Sequence, residues 1–438
     1  MFSWAWRVGV GAGVTVGLAI CLIASHAWGQ EPRPGGTREQ PPEPGPSPTT
    51  PSPGPPPAAY PLELLGLLAP PPQRGGVTLT PSISVSEEYN DNIFLNNQTR
   101  QWDLITGVTP AMTLYVNRRS YRLSGGVSFT GELYQRETRF NDAFKSQNFV
   151  ANGFYQAAPQ LALTVFDSFA RGRNTSLVAS QSFATGRQES WSNTFGPGMT
   201  WQMTPQSSLD LAATYGLLRF EGAGSGIDSD TYALLSSLRH VITPRLTGII
   251  GYGFTYLDLQ GGEPSRTHSP TLGFSYRLTP SLIGSANGGP AITEIGGATS
   301  LTPAVSASLV QTLRIGSASV QYTRAVGAAG GLGGTTETQT ASGTLTLSTW
   351  QRGLLIVFSP VYTTAESVSR QQTGRIDVKA LTLNLGVTYQ VARFVNVFGG
   401  YTFFQQRTGG ASSVTTEVDV DQNRVRFGLQ FGYPINFD

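Results

Sequence analysis

The chain has little of what most folds lean on. It holds a single cysteine, Cys21, in 438 residues. That cysteine lies within residues 1–29, where the apolar run Val8 to Ala24 follows a lone Arg7 and precedes Ala27-Trp28-Gly29. This is the layout of a secretory signal peptide, with cleavage expected after Ala27 or Gly29. Leu18-Ala19-Ile20-Cys21 is a poor lipoprotein box, because Ile20 is not small. The mature chain would then contain no cysteine, so disulfides are excluded as its source of stability; a closed network of strands can take their place. Charge is scarce too: Asp, Glu, Lys and Arg make up 13% of residues, against about 25% in an ordinary soluble domain. The net charge of +2 comes without a basic stripe, which excludes a nucleic-acid partner. Long apolar runs are absent beyond the leader, and a membrane helix bundle would need several of about 20 residues. Of three histidines, only His240 and His268 follow the leader, too few for an imidazole metal site, and no cofactor motif is present.

Proline and dyad alternation are what the chain does have. Sixteen of the 29 prolines fall within residues 30–76, in runs such as "PPEPGPSPTTPSPGPPP". Such a segment cannot bury a core and reads as a disordered or polyproline II linker, reaching on the order of 100 Å at about 3.1 Å per residue. "YPLELLGLLAPP", residues 60–71, is an apolar island inside it, either a contact with the following domain or a docking motif for a periplasmic partner.

From residue 77 to 438 the period is two. Val425, Phe427, Leu429, Phe431, Tyr433, Ile435 and Phe437 alternate with Arg424, Arg426, Gly428, Gln430, Gly432, Pro434 and Asn436. One face is apolar and the other is not, the mark of a half-buried strand. The pattern recurs at Leu381–Tyr389, Leu209–Leu217 and Leu246–Tyr256. Short turns, three of them opening with Thr-Pro, alternate along the chain with longer polar segments such as Arg171–Arg187 and Arg407–Asp421. A sandwich or solenoid does not predict that alternation. An all-β, antiparallel up-and-down transmembrane barrel does, with short periplasmic turns, long outer loops, an apolar outside and a polar inside. Closure leaves no unpaired edge in lipid. The spacing gives about 18 strands, with 16 as the alternative. Tyr115, Trp201, Tyr276, Trp350 and Tyr389 lie near short turns, as an interfacial girdle requires. Pro110, Pro197, Pro303 and Pro360 fall inside strands, where bulges or shifted strand ends would have to accommodate them.

Strand parity assigns a lumen. With the odd face of the last strand outward, Arg424, Arg426 and Gln430 face inward, and the same rule puts Arg122, Glu132, Asp210, Arg239, Arg277 and Arg314 inside. Six arginines against two carboxylates would make a channel mildly anion-preferring, unless the charge serves solvation alone. His240 falls on the outward face; His268, after "GGEPSRT", reads as an outer-loop residue without a partner. Neither suggests a catalytic base, so no enzyme is expected. "GAAGGLGG", residues 327–334, lacks the Lys-Ser/Thr ending of a phosphate loop and reads as an outer loop.

"EEYNDNIF", residues 87–94, ends the first alternating run. Asn90-Asp91-Asn92 suits the close of a strand at the membrane surface, since such side chains bond their own backbone. Glu88 and Asp91, with amide oxygens of Asn90 or Asn92, are the alternative as weak ligands for a divalent cation. Through Glu87, Tyr89, Asn90, Asp91, Asn92, Ile93 and Phe94 the stretch resembles the opening strand of a porin-like family of bacterial outer-membrane barrels found with exopolysaccharide and exosortase gene clusters. The resemblance covers about eight residues and implies an outer-membrane barrel associated with envelope polysaccharide rather than a reaction. The barrel reading makes outer-membrane lipid and the barrel-assembly machinery partners, and the export reading adds a periplasmic export partner at the Pro-rich arm. A terminal aromatic is the usual assembly signal, and here Asp438 follows Phe437. A passive porin, a polysaccharide-export channel and a plugged structural or adhesive barrel all remain open.

Overall fold

The structure, a computed structural model, describes residues 76–174, 183–184, 187–222, 226–328, 334–348, 352–368, 376–408 and 419–437. The leader, the Pro-rich segment with its island at 60–71, Trp350 and Asp438 lie outside the described residues. In chain order the strands are β1 Gly76–Asn90, β2 Asp103–Asn117, β3 Tyr121–Tyr134, β4 Asp142–Ala158, β5 Leu161–Asn174, β6 Arg187–Thr204, β7 Ser207–Glu221, β8 Ser229–Thr243 and β9 Leu246–Leu259. They continue as β10 Ser265–Thr279, β11 Leu282–Ile295, β12 Ala298–Leu313, β13 Gly316–Ala328, β14 Thr335–Leu347, β15 Leu354–Ser367, β16 Asp377–Ala392, β17 Val395–Thr408, β18 Val420–Gly432 and β19 Ile435–Phe437. From β1 to β18 each pairs antiparallel with its neighbours in sequence. β18 and β19, separated only by Tyr433-Pro434, both return to β1, with Glu87 opposite Phe427 and Val77 opposite Phe437. β19 thus continues the line of β18, and the result is a closed barrel of 18 strands.

Period-two patterning folds as it reads. The odd residues of β18 are the exposed ones, Phe427 at 62% and Leu429 at 57%, while Arg426 on the even face is 6% exposed. The outer surface is accordingly apolar, with Leu272, Leu301 and Val320 among its most exposed side chains. Parity corrects one girdle residue. Met112 and Leu114 are exposed on the outside of β2, so Tyr115, on the opposite parity, faces inward. Trp201, Tyr276 and Tyr389 are exposed on the outside near the short turns.

The strand prolines are held in a way not expected from sequence. On the β2–β3 ladder, pairing lapses between Val108↔Gly131 and Ala111↔Ser128, around Pro110, and resumes in the same register. The same lapse surrounds Pro197 between Phe195↔Tyr215 and Gly198↔Ala212, and Pro360 between Ser342↔Val361 and Leu345↔Phe358. Neither a bulge nor a shifted strand end is involved. The missing N–H costs ladder bonds on one side only, and parity is preserved. Pro303 lies opposite Pro290 where β12 has not yet met β13.

Most of the bulges sit instead beside the short turns, the shifts at Thr130/Glu132 and Gly172/Asn174 lying toward the long-loop end. Register shifts at Gln156/Ala158, Gln202/Thr204, Val241/Thr243 and Arg277/Thr279 directly precede the turns Pro159-Gln160, Pro205-Gln206, Pro244-Arg245 and Pro280-Ser281. Proline presets φ for the first turn position. A relay of backbone hydrogen bonds links successive turns: the amides of Gln202, Val241, Arg277 and Thr312 donate to the carbonyls of Gln160, Gln206, Arg245 and Ser281 at 2.8 to 2.9 Å. This rim is therefore stitched laterally as well as along each hairpin. The turn expected at Ile315–Ser317 is Arg314-Ile315.

The other end is built from longer connections, with one exception. β11 and β12 are joined by Gly296-Gly297 alone, both at positive φ (54° and 81°), the mirror-type turn that only glycine-like residues take without strain. Strands of 13 to 18 residues exceed the 9–11 or so that a bilayer needs. At this end the surplus carries outward ion pairs, three across neighbouring strands, Arg219–Asp230 (2.8 Å), Arg324–Glu337 (2.7 Å) and Arg407–Asp421 (2.8 Å), and one, Arg171–Glu221 (2.6 Å), reaching from β5 over β6 to β7. Aromatic rings lie just below them on the outside, with Tyr215 stacked on Tyr232 at 4.7 Å and Trp191 against Phe169 at 6.1 Å.

Candidate functional site

The inner wall and its mouth at the long-loop end form the candidate site. Most inward charge is already partnered. Arg424 donates to both carboxylate oxygens of Glu88, each at 2.8 Å, across the β1–β18 seam. Two positions below it, Arg426 donates from Nε to Ser86 Oγ at 3.0 Å. Arg239 meets Asp210 at 3.1 Å. Glu132 accepts from the Tyr134 hydroxyl at 2.7 Å, and Arg122 lies over the Phe154 ring at 4.6 Å. Gln430 lies opposite Ser84 on the inward face, and Arg277 is exposed near the turn end of β10. Arg314 is not on the wall: it occupies the two-residue turn after β12, where parity no longer applies. An inward carboxylate missed from sequence is Asp103, fully buried and accepting backbone N–H groups of Arg136 and Glu137 at 3.0 and 2.9 Å. The six-to-two ratio therefore overstates the surplus, since Glu88 and Asp103 join the carboxylates and Arg314 leaves the arginines.

The "EEYNDNIF" stretch is a clasp on the barrel seam. Glu87 points outward beside Phe427 and accepts from Thr106 Oγ1 at 2.6 Å. Tyr89 points outward against Trp102, ring centroids 6.0 Å apart. Asn90 Oδ1 accepts from the Asn92 amide at 3.0 Å and from Gln422 Nε2 at 3.1 Å. Asp91 accepts from the Asn423 amide (2.7 Å), Asn423 Nδ2 (2.8 Å) and Arg100 (2.8 Å). Asn92 Nδ2 donates to the Asp421 carbonyl at 2.9 Å. Every polar side chain from Glu88 to Asn92 thus ties the first strand to β18 or turns the chain above it. The cation alternative is not supported: Glu88 and Asp91 each have an arginine partner, and among the described residues no three His, Cys, Asp or Glu converge on a metal site.

Once turned, the chain enters the mouth. Ile93 packs with Ile105 and Tyr134 on the inner wall, with Phe94 and Phe140 against them. Leu95, at φ 56°, joins Phe183, Ala184, Ala365, Ile376, Val378, Ala380, Phe404 and Val420 in a second apolar cluster. Phe183 and Ala184 come from the Arg171–Arg187 segment, otherwise β5 and β6 ends or outside the described residues. Gln406 holds them: its Nε2 donates to the Ala184 carbonyl at 2.9 Å and its Oε1 accepts the Ala184 amide at 2.7 Å. Arg187 spans the two loops, donating to the Ile93 carbonyl at 2.9 Å and to the Tyr134 hydroxyl at 2.8 Å, with its guanidinium 4.4 Å from the Phe140 ring. A cavity lies beneath, lined by Glu88, Asn90, Glu132, Tyr134, Arg187 and Arg424 among others. Arg187, Tyr134 and Gln406 were not singled out from sequence. Parity places Tyr134 and Gln406 inward, but nothing local indicates that Gln406 binds a segment 222 residues away.

The histidines lie on the outside. His240 Nδ1 is 2.9 Å from Ser207 Oγ on the exposed face of β8. His268 is in β10 rather than a loop, and it has partners: its Nδ1 is 2.8 Å from the Tyr252 hydroxyl and its ring 5.1 Å from Phe254. Residues 327–328 end β13, and 329–333 of the glycine-rich stretch lie outside the described residues.

A closed antiparallel barrel, apolar outside and hydroxyl-rich inside, with short turns at one end and long loops at the other, is a bacterial outer-membrane β-barrel. No protein-family model matches the chain. No curated protein matches it either. Among solved structures it is similar to OccAB4 of Acinetobacter baumannii, at 10% identity and a TM-score of 0.43, over 83% of this chain and 99% of that one. OpdQ of Pseudomonas aeruginosa is similar at 12% identity and a TM-score of 0.41, over 82% and 98%. The siderophore receptor PirA of Acinetobacter baumannii is similar at 6% identity and a TM-score of 0.43, over 82% and 81%. At such distances no activity transfers from those proteins to this chain.

Proposed function

We propose that the protein is a porin-like channel for small polar solutes across the outer membrane. One observation carries this reading: inside a barrel whose outer face is apolar, the inner wall is lined by serine, threonine, asparagine, glutamine and paired charge, which a packed core would not tolerate and water would. Ile93 to Leu95, with Phe183 and Ala184, occupy part of the mouth at the long-loop end. The link to envelope polysaccharide rests on the "EEYNDNIF" resemblance alone, and the Pro-rich arm would serve such a role by reaching a periplasmic export partner. Outer-membrane lipid and the barrel-assembly machinery complete the proposed partners. Catalysis forms no part of the proposal.

The test is single-channel recording of the refolded protein in a planar bilayer, with correct folding established by an electrophoretic shift between unheated and boiled samples. Discrete conductance steps are expected. A folded, heat-shifting barrel that passes no current would favour the plugged structural or adhesive alternative, for which the apolar cluster around Phe183 is the supporting observation.

A further inference from the structure

The inner wall carries an apolar patch at its turn-end rim. Arg277, Ile283 and Val310 lie side by side in one inward row from β10 to β12, Arg277 opposite Ile283 and Ile283 opposite Val310. Val241 faces inward near the end of β8. The two valines are 45% and 41% exposed. Their neighbours in the bulges point the other way: Ile242 and Leu278 cover the outward glycines Gly248 and Gly284, which leaves Val241 and Arg277 on the lumen side. Directly above the row the wall turns polar, with Ser285 and Ser308 in contact at 2.8 Å and Asn287 donating to Ser306 at 3.3 Å. The aliphatic surface is thus confined to the rim. Arg277 is exposed within it, and its side chain has no hydrogen-bond or ion-pair partner among the described residues. Aliphatic surface facing water favours an apolar contact, and an open guanidinium favours a carboxylate. The patch therefore fits a short apolar segment that carries one acid.

The chain holds such a segment close to this rim. Residues 60–71, "YPLELLGLLAPP", contain five leucines and a single charge, Glu63, set between Leu62 and Leu64. Only Pro72-Gln73-Arg74-Gly75 separate them from Gly76, which opens β1 opposite Asn117 at the turn end. β10 lies across the barrel from β1, and a barrel of 18 strands spaced about 4.8 Å apart is about 30 Å wide. Tyr60 stands 16 residues before Gly76, a reach of about 50 Å when extended. We propose that residues 60–71 dock on this patch, with leucines against Val241, Ile283 and Val310 and the Glu63 carboxylate on Arg277. The tether favours this occupant over a free partner, because it holds the segment at an effective concentration on the order of millimolar. The dock does not depend on the channel reading. In a conducting barrel the docked segment narrows the turn-end mouth.

Cys21 is the only cysteine and lies in the leader, so an engineered pair in the mature chain reports proximity through one internal disulfide. The full mature chain is refolded in detergent and oxidised with copper phenanthroline. Leu64→Cys with Val310→Cys is expected to cross-link at least fivefold more than Leu64→Cys with Thr80→Cys, although Thr80, inward on β1, is far nearer along the chain. Adding Arg277→Glu to the first pair is expected to lower its yield at least fivefold, and adding Glu63→Arg as well to recover most of that loss. Heat-shift electrophoresis confirms that each variant folds. Equal or absent yields at Val310 and Thr80, or a yield indifferent to Arg277→Glu, overturn the dock. A cross-link joining two chains rather than one overturns it in favour of a second copy as the occupant. Cross-linking needs no current, so a cross-linked barrel that is silent in a planar bilayer upholds the dock and overturns only the channel reading.

Discussion

Glu88 and Arg424 meet across the seam that closes the barrel, forming two parallel hydrogen bonds of 2.8 Å between residues 336 apart in sequence. Both side chains are well shielded, at 11% and 16% exposure. Removing one partner leaves the other charge shielded and unpaired, which costs about 3 kcal/mol or more. Glu88→Gln and Arg424→Gln are each expected to lower the temperature at which the barrel loses its heat-shifted mobility. The exchanged pair Glu88→Arg with Arg424→Glu should recover part of that loss. Single variants melting with the wild type would show that the seam is held elsewhere.

The two faces of β18 should respond oppositely to charge. Phe427 and Phe431 point at lipid, where each lysine substitution costs roughly 2–4 kcal/mol near the midplane, so Phe427→Lys with Phe431→Lys is expected to impair insertion into lipid vesicles. Arg424→Glu with Arg426→Glu lies on the lumen side. It is expected to move the reversal potential toward cation preference, because charges lining a narrow polar path bias local ion concentration. The destabilisation expected from the broken seam pair is tracked by heat shift.

Gln406 is fully buried and satisfies both the amide and the carbonyl of Ala184. Gln406→Ala leaves two backbone groups without partners in an apolar cluster, at about 1–3 kcal/mol for each group. The cheaper outcome is for Phe183 and Ala184 to leave the wall. Single-channel conductance is therefore expected to rise while the heat-shift temperature of the barrel changes little. Gln406→Glu, which keeps only the acceptor, should lie between the two. Unchanged conductance in both variants would show that this contact does not narrow the path.

Barrel class, strand number and most facings were legible because the side-chain period of two holds through each strand: Phe427 and Arg426 can be assigned to opposite faces from their positions alone. Legibility ended where that period ends. Arg314 falls on the wall only if the turn begins at Ile315 rather than Arg314, and Tyr115 joins the outer girdle by proximity to a turn but not by parity. His268 reads as a loop residue because Pro270 and "GGEPSRT" obscure the start of β10. The carboxylates of "EEYNDNIF" could be recognised as a strand end, but not as a clasp, since Arg424, Gln422, Asn423 and Asp421 reach them only after the last strand returns to the first. The inward course of the Phe183 segment has no local signature at all.

The strand prolines give a prediction of opposite sign to the others. Pro360 interrupts the β14–β15 ladder between Ser342↔Val361 and Leu345↔Phe358, while its pairing with Leu383 on β16 persists. The missing N–H therefore belongs to the β14 side. Register is unchanged across the gap, so a residue with an N–H could donate there without moving either strand. Its side chain would point outward, as Phe358 and Tyr362 do on the same parity, so a β-branched apolar residue suits the position. Pro360→Val is expected to restore a ladder bond worth about 0.5–1.5 kcal/mol and to raise the heat-shift temperature, with conductance unaltered. Pro303→Val serves as the comparison: Pro303 stands opposite Pro290 and ahead of the first β12–β13 pair at Val305↔Arg324, so no ladder awaits its N–H and little gain is expected. Equal gains at both positions would mean that chain stiffness, and not the missing donor, governs the effect. A loss at Pro360 would mean that the gap in the ladder is needed for the barrel to curve there.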